Sequence, residues 1–195
     1  MKLNKINKKF VYLISPNKIS NINFYDDLAL VLSSKKISFF QLRLKKETNL
    51  NKLIIGKKIK KICNKYKVKF LINDDPLLAK KLNADGCHLG QKDMDLIKAR
   101  KILKNKIIGV TCHNSINLAK RAINDGADYL AFGAFYATKT KTVKYRASLT
   151  VLKSIKKITS LPIVAIGGIK LNNYKKLLLN KANFLAISGY IWNNK

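Results

Sequence analysis

Acidic residues are scarce in this sequence: only 10 Asp and Glu stand against 40 Lys and Arg, which gives a formal net charge of +30. Such an excess of cations is typical of proteins that bind nucleic acid, because Lys and Arg neutralise phosphates and release counterions. Here, however, the lysines are spread over almost every predicted helix instead of forming one basic stretch. We therefore interpret the charge as compositional, with Lys on solvated faces, and expect no nucleic-acid partner.

Cysteine is also scarce, with Cys63, Cys87 and Cys112 odd in number and without a C-x-x-C pair. Neither a disulfide framework nor a zinc site is indicated, and a reduced, cytoplasmic compartment is expected. Long apolar runs are missing as well. The apolar stretch at residues 10–15 is ended by Pro16, so it is too short for a signal-peptide core or a membrane span.

The hydrophobic content of 47% in 195 residues is ordinary for a globular protein, and we expect one catalytic domain spanning residues 1–195. Segments with strand patterns alternate with segments of helical periodicity. The predicted strands are residues 10–15, 37–44, 70–72, a short segment before Gly90, 107–112, 128–135, 162–168 and 184–188. The predicted helices are residues 23–34, 51–66, 76–82, 95–104, 115–125, 148–158 and 172–179.

About eight strands alternating with helices is the order of a (β/α)8 TIM barrel. An open doubly wound sheet, which needs fewer strands, is the alternative. Only residues 189–195 follow the last predicted strand, so we predict a TIM barrel with a short or missing final helix. Its last side is then either open or covered by another subunit.

Residues 70–93 contain two carboxylates, each after a short apolar strand, with one helix between the strands. Parallel strands joined by a right-handed helical crossover lie side by side, so the loops that follow them meet at one end of the sheet. Asp74 and Asp93 are therefore predicted to share a cation. Beside Asn73 and Gln91 they are hard oxygen ligands of the type that holds Mg²⁺ together with substrate phosphates. An acid/base pair is the alternative.

The second predicted strand has an unusual polar row. Gln41, Arg43 and Lys45 alternate with Leu42 and Leu44, so they project to one face. In a sheet covered on both faces these groups need a partner, because an unpaired buried charge is costly. An anionic ligand at the end of the strand would supply one. The alternative is an edge strand that exposes the polar row to water.

All the strands of a barrel end at the same mouth, where active sites lie. The polar residues predicted there are Gln41, Arg43, Lys45, Asn73, Asp74, His88, Gln91, Asp93, Thr111, His113, Thr138, Thr140, Lys141, Gly167, Gly168, Ser188 and Gly189. The glycine pair exposes backbone N–H groups to a phosphate, although a tight turn explains it equally well. The two histidines are interpreted as structural or substrate-contacting groups and not as general bases.

Six motifs in this order resemble the thiamine-phosphate synthase family, to which thiazole tautomerases also belong. They are QLRLK (41–45), INDD (72–75), ADGCHLGQKD (84–93), GVTCH (109–113), TKTK (138–141) and AIGGI (165–169). The resemblance implies a (β/α)8 enzyme that joins 4-amino-2-methyl-5-hydroxymethylpyrimidine diphosphate to a thiazole phosphate. The products are thiamine phosphate and diphosphate, and no protein nucleophile is required.

Residue roles follow from the resemblance by position. It implies that Asp74 and Asp93 hold Mg²⁺ and that Gln41 helps to seat the pyrimidine. The groups expected to bind the diphosphate are Arg43, Lys45, Asn73 and Lys141, which with Thr111 form the expected catalytic set. The groups expected near the junction of the two substrates and at the thiazole phosphate are Thr111, Thr138, Thr140, Gly168, Ile187 and Ser188.

The sequence departs from the family pattern at Leu44, Thr111 and Ala137, where Glu, Ser and Pro are common, and in its truncated last helix. Two alternatives stay open: a thiazole tautomerase that uses His113, and a basic nucleic-acid-binding protein without catalysis. The tautomerase would need neither the paired aspartates nor the full TKTK loop. We expect small-molecule substrates, no membrane association, and a homodimer as one way to cover the last side of the barrel.

Overall fold

The computed structural model describes residues 10–138 and 145–193, in which eight parallel strands form a closed barrel in chain order. The strands are β1 (Val11–Ile14), β2 (Ile37–Leu42), β3 (Lys69–Asn73), β4 (Gly86–Leu89), β5 (Ile107–His113), β6 (Tyr129–Gly133), β7 (Ile163–Ile166) and β8 (Phe184–Ile187). Because β8 pairs with β1, the predicted TIM barrel is confirmed. The open sheet and the edge-strand explanation of residues 41–45 are wrong.

The helices follow the strands one by one. They are α1 (Phe24–Ser33), α2 (Asn49–Lys65), α3 (Pro76–Lys81), α4 (Leu96–Leu103), α5 (Ile116–Asn124), α6 (Leu149–Lys156), α7 (Tyr174–Leu179) and α8 (Gly189–Trp192). Within the described residues every helix is too short or too polar to cross a membrane.

Two details differ from the sequence prediction. β2 ends at Leu42, so Arg43 and Lys45 lie in the loop beyond it. The predicted strand extends to Leu44 because this residue continues the apolar alternation, and Leu44 is indeed buried although it lies in the loop. The helical spacing of residues 51–66 predicts an apolar stripe of Leu53, Ile54, Ile59 and Ile62, but Ile54 is exposed, and the buried residues of α2 are Gly56, Ile59 and Cys63. The buried face is turned because Gly56 packs closely on Leu82, which follows α3: a Cβ at Gly56 would lie 2.5 Å from Leu82 Cδ1.

The core has two layers. The larger one lies between the strands and the helices. The smaller one fills the inside of the barrel, and its large side chains come from alternate positions of different strands, as the fold requires. Its members are Tyr12, Ile14, Phe39, Leu71, Tyr129, Ala131, Val164, Phe184 and Ala186.

The end of the barrel opposite the mouth is held by one motif that occurs three times. In each copy, the residue just before β4, β6 or β8 forms two hydrogen bonds with one residue of the preceding strand. Its side-chain oxygen accepts the backbone N–H of that residue, and its own backbone N–H donates to the carbonyl of that residue. The pairs are Asp85 with Phe70, Asp128 with Ile108, and Asn183 with Ile163, all between 2.7 and 2.9 Å. These reciprocal bonds fix the register of each strand pair.

A single helical turn closes the last side of the barrel. α8 has four residues, which confirms the short final helix. The Trp192 ring lies 5.1 Å from the ring of Phe24 in α1. Its Nε1 donates to the carbonyl of Ile14 at 2.6 Å. Trp192 thus packs against the end of β1 and against α1, where a full last helix would otherwise lie.

The motif at the base predicts how Asp128 substitutions act on stability. Asp128→Ala leaves the buried Ile108 N–H without its acceptor, which we expect to lower the free energy of unfolding by about 1–3 kcal/mol. Asp128→Asn retains an acceptor oxygen, as Asn183 shows, and loses only the partly exposed ion pair with Arg100, a loss of roughly 1 kcal/mol or less. Urea unfolding measures both values. Equal destabilisation by the two changes would mean that the ion pair is the more important interaction.

Candidate active site

Asp74 and Asp93 follow neighbouring strands and meet at the mouth, as predicted. Asp74 lies at φ +64°, a left-handed conformation that Asp tolerates better than most residues, and its N–H donates to the carbonyl of His88 at 2.7 Å. The next residue, Asp75, has a different role. Its Oδ1 accepts the N–H of Leu78 at 2.8 Å and caps α3, so Asp75 serves the helix while the Asp74 carboxylate faces Asp93 and Lys45.

The position of Asp93 depends on a tight turn after β4. The N–H of Gly90 donates to Asp93 Oδ2 at 2.7 Å. A Cβ at Gly90 would lie 2.9 Å from the same oxygen, so glycine permits this close approach.

The Asp74 and Asp93 carboxylates are in hydrogen-bonding contact, and each alters the pKa of the other. Burial, together with the hydrogen bond and the charge of Asp74, raises the pKa of Asp93. Burial also raises the pKa of Asp74, but the hydrogen bond with Asp93 and the Lys45 ammonium outweigh it, so the net pKa is lowered. Two adjacent carboxylates repel each other when both are ionised, and a bound cation removes that repulsion. The pair is therefore suited to a cation in addition to the Lys45 ammonium.

Two cationic side chains lie beside this pair. The Lys45 ammonium contacts the Asp74 carboxylate. The Arg43 guanidinium donates to Asn17 Oδ1, and the Arg43 backbone N–H donates to Ser15 Oγ at 2.8 Å. Burial lowers the pKa of Arg43 while Asp74 opposes that change. Sequence reasoning missed Ser15 and Asn17, although both directly follow β1 and therefore belong to the same mouth.

A cavity of about 240 Å³ opens beside the ends of β2, β3 and β4. It brings together four of the predicted site residues, namely Lys45, Asn73, Asp74 and Asp93. The rest of its lining is Leu42, Leu44, Lys52, Ile72, Asp75 and Leu78.

His113 lies in a different cavity. The register of β5 against β6 shifts between Thr111 and His113, and the His113 ring lies 4.4 Å from the ring of Tyr145. This second cavity is lined by Gln91, His113, Asn114, Ser115, Leu118 and Tyr145 and shares no lining residue with the first. The structure therefore does not place His113 with the carboxylate pair. Ser115 precedes the helical pattern of residues 116–125, where a serine is a preferred N-cap, and the structure confirms this cap, since its Oγ accepts the N–H of Leu118.

Below the mouth a row of polar side chains crosses the inside of the barrel. Gln41 is buried, and its Nε2 donates to the hydroxyl of Tyr12 at 2.7 Å. The Tyr12 and Tyr129 hydroxyls are 2.8 Å apart, and His88 Nδ1 lies 2.8 Å from the Tyr129 hydroxyl. His88 Nε2 lies 2.8 Å from Thr111 Oγ1. Sequence reasoning missed both tyrosines, because Tyr inside a β-strand resembles an apolar core residue; the inward phase of β1 was the available signal.

The glycine pair after β7 packs against the loop that leads to Thr138. Gly167 and Gly168 have φ values of +102° and +63°, and a Cβ on Gly168 would lie 2.2 Å from the carbonyl oxygen of Ala137. The loop is held by backbone bonds from Phe135 and Tyr136 to the end of β7. Tight packing thus requires these glycines whether or not they also contact a phosphate.

The remaining predicted residues are placed as follows. Ile187 is the last residue of β8, and the Ser188 hydroxyl donates to the carbonyl of Ser15 at 3.2 Å. Thr138 ends the first described segment, and Thr140 and Lys141 lie outside the described residues.

Comparison with known proteins identifies the family of the chain. A family model of thiamine monophosphate synthase matches residues 11–191. The thiamine-phosphate synthase of Pelagibacter ubique (strain HTCC1062) is 97% identical over 195 residues, which are 100% of this chain and 94% of that protein. The thiamine-phosphate synthase of Nitrosomonas eutropha is 37% identical over 187 residues, which are 95% of this chain and 88% of that protein.

A solved structure of thiamine phosphate pyrophosphorylase from Pyrococcus furiosus matches with a TM-score of 0.82 at 28% identity, covering 94% of this chain and 87% of that one. The predicted fold, family and transferase activity are therefore confirmed. The motifs, the closed barrel and the matches over almost the full length agree: the chain belongs to the thiamine monophosphate synthase family.

Proposed function

We propose that the protein joins 4-amino-2-methyl-5-hydroxymethylpyrimidine diphosphate to thiazole phosphate at the barrel mouth. The bond between the pyrimidine methylene carbon and the diphosphate oxygen breaks, and diphosphate leaves with the electron pair. The thiazole nitrogen then forms the new bond to that carbon, which gives thiamine phosphate. The observation that supports this site is the pair of carboxylates, Asp74 and Asp93, which line one cavity together with Lys45 in contact with Asp74.

The residues at the mouth fit a Mg²⁺ ion. Mg²⁺ commonly takes one or two carboxylates from a protein and fills its other positions with water and substrate phosphates. Residues 10–138 and 145–193 contain no group of three or more His, Cys, Asp or Glu that would form an all-protein site. Asp74 and Asp93 would hold the ion, and the raised pKa of Asp93 reflects the repulsion between the two carboxylates that a bound cation would relieve. When bound, Mg²⁺ supplies charge neutralisation for the departing diphosphate.

The cationic side chains stabilise the same developing charge. Lys45 is held by its contact with Asp74, and Arg43 by its hydrogen bond to Asn17, so both cations are positioned before the diphosphate arrives. Asn73 lines the same cavity and donates an amide N–H to a phosphate oxygen. Lys141, by family resemblance, adds a further charge. With the leaving group stabilised in this way, the methylene becomes cationic without a protein nucleophile.

The other predicted residues bind the organic parts of the substrates. We assign Gln41 to the pyrimidine, and Thr111, Thr138 and Thr140 to the region between the substrates. Gly168, Ile187 and Ser188 are assigned to the thiazole phosphate. His113 is assigned a substrate contact from the second cavity and not a role as base, because it lies apart from the carboxylates.

We further propose that residues 1–195 act as one catalytic domain in the cytoplasm, as a homodimer, without a nucleic-acid partner. The buried, unpaired thiols of Cys63, Cys87 and Cys112 fit a reducing compartment. Exposed leucines on the outside of the barrel, such as Leu30 and Leu179, offer apolar surface for a second copy.

The metal assignment predicts the effect of removing one carboxylate. Asp93→Ala is expected to lower thiamine phosphate formation by at least about 100-fold, because the diphosphate leaves without its neutralising ion. Asp95→Asn is the matched control: it lies two residues away, removes the same charge, and keeps an oxygen that can cap α4. It should retain activity. Product is measured chromatographically with Mg²⁺ and with excess chelator.

Two outcomes would contradict the proposed function. Product formation that continues at the same rate in excess chelator would exclude the Mg²⁺ assignment. If the protein makes no thiamine phosphate but isomerises a thiazole carboxylate phosphate, and His113→Ala abolishes this, the tautomerase hypothesis would replace the synthase.

The raised pKa of Asp93 predicts a pH dependence of Mg²⁺ binding. Protonation of Asp93 competes with the ion, so lowering the pH through the raised pKa of Asp93 weakens binding, and raising the pH above it has no further effect. Calorimetric titrations in buffers of different ionisation enthalpy should detect proton release at the lower pH. Asp93→Asn should release none. Equal affinity and no proton release across that range would contradict the assignment of Asp93 as a ligand of the ion.

A further inference from the structure

The row of polar groups inside the barrel is a continuous hydrogen-bond chain from Gln41 to Thr111. Each tyrosine hydroxyl in it lies between two partners: Tyr12 between Gln41 Nε2 and Tyr129, and Tyr129 between Tyr12 and His88 Nδ1. A hydroxyl has one proton to donate, and a neutral imidazole has one N–H. The direction of one bond therefore fixes the direction of all the others.

The direction follows from the Gln41 amide. Because its Nε2 donates to Tyr12, the Tyr12 proton is directed to Tyr129, and the Tyr129 proton to His88 Nδ1. His88 must then carry its proton on Nε2 and donate it to Thr111 Oγ1. At one end this leaves Gln41 Oε1 as the acceptor for a ligand. At the other end Thr111 receives the His88 proton, so its own hydroxyl proton is directed to another acceptor.

We propose that Tyr12, Tyr129 and His88 are positioning residues that hold the Gln41 amide with its oxygen towards the substrate and the Thr111 hydroxyl as a donor. This inference rests on the proposed function, in which Gln41 contacts the aminopyrimidine and Thr111 lies in the region between the two substrates, where the diphosphate departs. An amide oxygen selects a ligand that carries an amino donor. A hydroxyl donor suits an oxygen of the departing diphosphate.

The surroundings keep the chain in place. Tyr12 and Tyr129 are 1% and 2% exposed. Burial raises the pKa of both phenols, so each retains the proton that the chain needs. The Tyr12 ring packs 5.3 Å from that of Phe39, and the Tyr129 ring lies 5.6 Å from that of His88. Rotation of either hydroxyl away from its partners would leave a buried polar group unsatisfied.

A glycine in β5 provides the space for Tyr129. A Cβ built at Gly109 would lie 1.8 Å from Cζ of the Tyr129 ring, within the ring itself. Glycine at this position is therefore what allows the phenol to lie across β5 with its hydroxyl between Tyr12 and His88. This observation is independent of the hydrogen bonds and shows that the backbone is adapted to this tyrosine.

The first experiment compares the natural pyrimidine diphosphate with the analogue that has an oxo group, which only accepts hydrogen bonds, in place of the exocyclic amino group. In the unaltered enzyme the Gln41 oxygen favours the amino compound. In Tyr129→Phe the chain is cut, the amide turns freely, and the ratio of the two kcat/KM values should fall about tenfold, which corresponds to about 1.4 kcal/mol. Tyr12→Phe interrupts the hydrogen-bond chain one bond closer to Gln41 and should lower the ratio of the two kcat/KM values to the same extent.

Controls separate positioning from general damage. Tyr174→Phe, which removes a hydroxyl from the ring stacked on Phe10, should leave the ratio unchanged. In a Gln41→Met background, Tyr129→Phe should no longer alter the ratio, because it acts through Gln41. If Tyr129→Phe lowers kcat/KM equally for both compounds, or leaves the ratio intact, the proposal is wrong while the proposed function stands. Loss of thiamine phosphate formation in the unaltered enzyme would instead refute the function.

The second experiment needs no substrate. The chain contains two histidines, so their imidazole nitrogens are readily assigned by NMR with His113→Gln as reference. At a pH above the range in which histidine titrates, His88 should carry its proton on Nε2, and Tyr129→Phe should shift its tautomer population. A proton on Nδ1 in the unaltered protein would reverse the chain and overturn the proposal.

Discussion

Two carboxylates within hydrogen-bonding distance repel each other when both are charged, and the mouth of this barrel is organised by that constraint. Asp74 and Asp93 reach the same point because β3 and β4 are adjacent and parallel. The polar contacts around them hold this arrangement: the Gly90 N–H donates to Asp93, and the Lys45 ammonium contacts Asp74. The repulsion raises the pKa of Asp93, and a bound cation would relieve it.

The two ends of the barrel use the same residue types for different purposes. At the base, Asp85, Asp128 and Asn183 use side-chain oxygens to satisfy backbone N–H groups, and these bonds fix strand register. At the mouth, polar side chains are directed towards one another and towards the cavities instead. Between them the interior holds Tyr12 and Tyr129, whose rings belong to the core and whose hydroxyls belong to the site. The stability of the barrel and the orientation of the site residues are thus coupled at these rings.

Much of this arrangement is predictable from the sequence, and its limits have physical causes. The order of the strands predicts that the two carboxylates lie together, because consecutive strands of a barrel are neighbours and all of them end at the same mouth. The inward tyrosines are not predictable from hydrophobicity alone, since the phenol ring fits the core pattern and only its partner across the barrel shows why the hydroxyl matters. The orientation of α2 likewise depends on a close contact between Gly56 and Leu82, which no local pattern contains. Leu44 likewise continues the apolar alternation of β2, although the pairing of β2 with β3 ends at Leu42.

The scarcity of acidic residues gives the charge distribution its meaning. Most of the 10 acids have an identifiable structural contact: Asp75 and Asp95 cap helices, and Asp85 and Asp128 hold the base. Asp125 pairs with Arg121, and Glu47 accepts from Asn51. Asp74 and Asp93 are different, because they lie against each other, which raises the pKa of Asp93 although the chain carries 40 cationic residues. A surface so rich in Lys attracts polyanions to the whole protein. Within residues 10–138 and 145–193, the mouth combines that attraction with two adjacent carboxylates in one cavity, and this is what distinguishes a site for a metal-bound diphosphate from a merely basic surface.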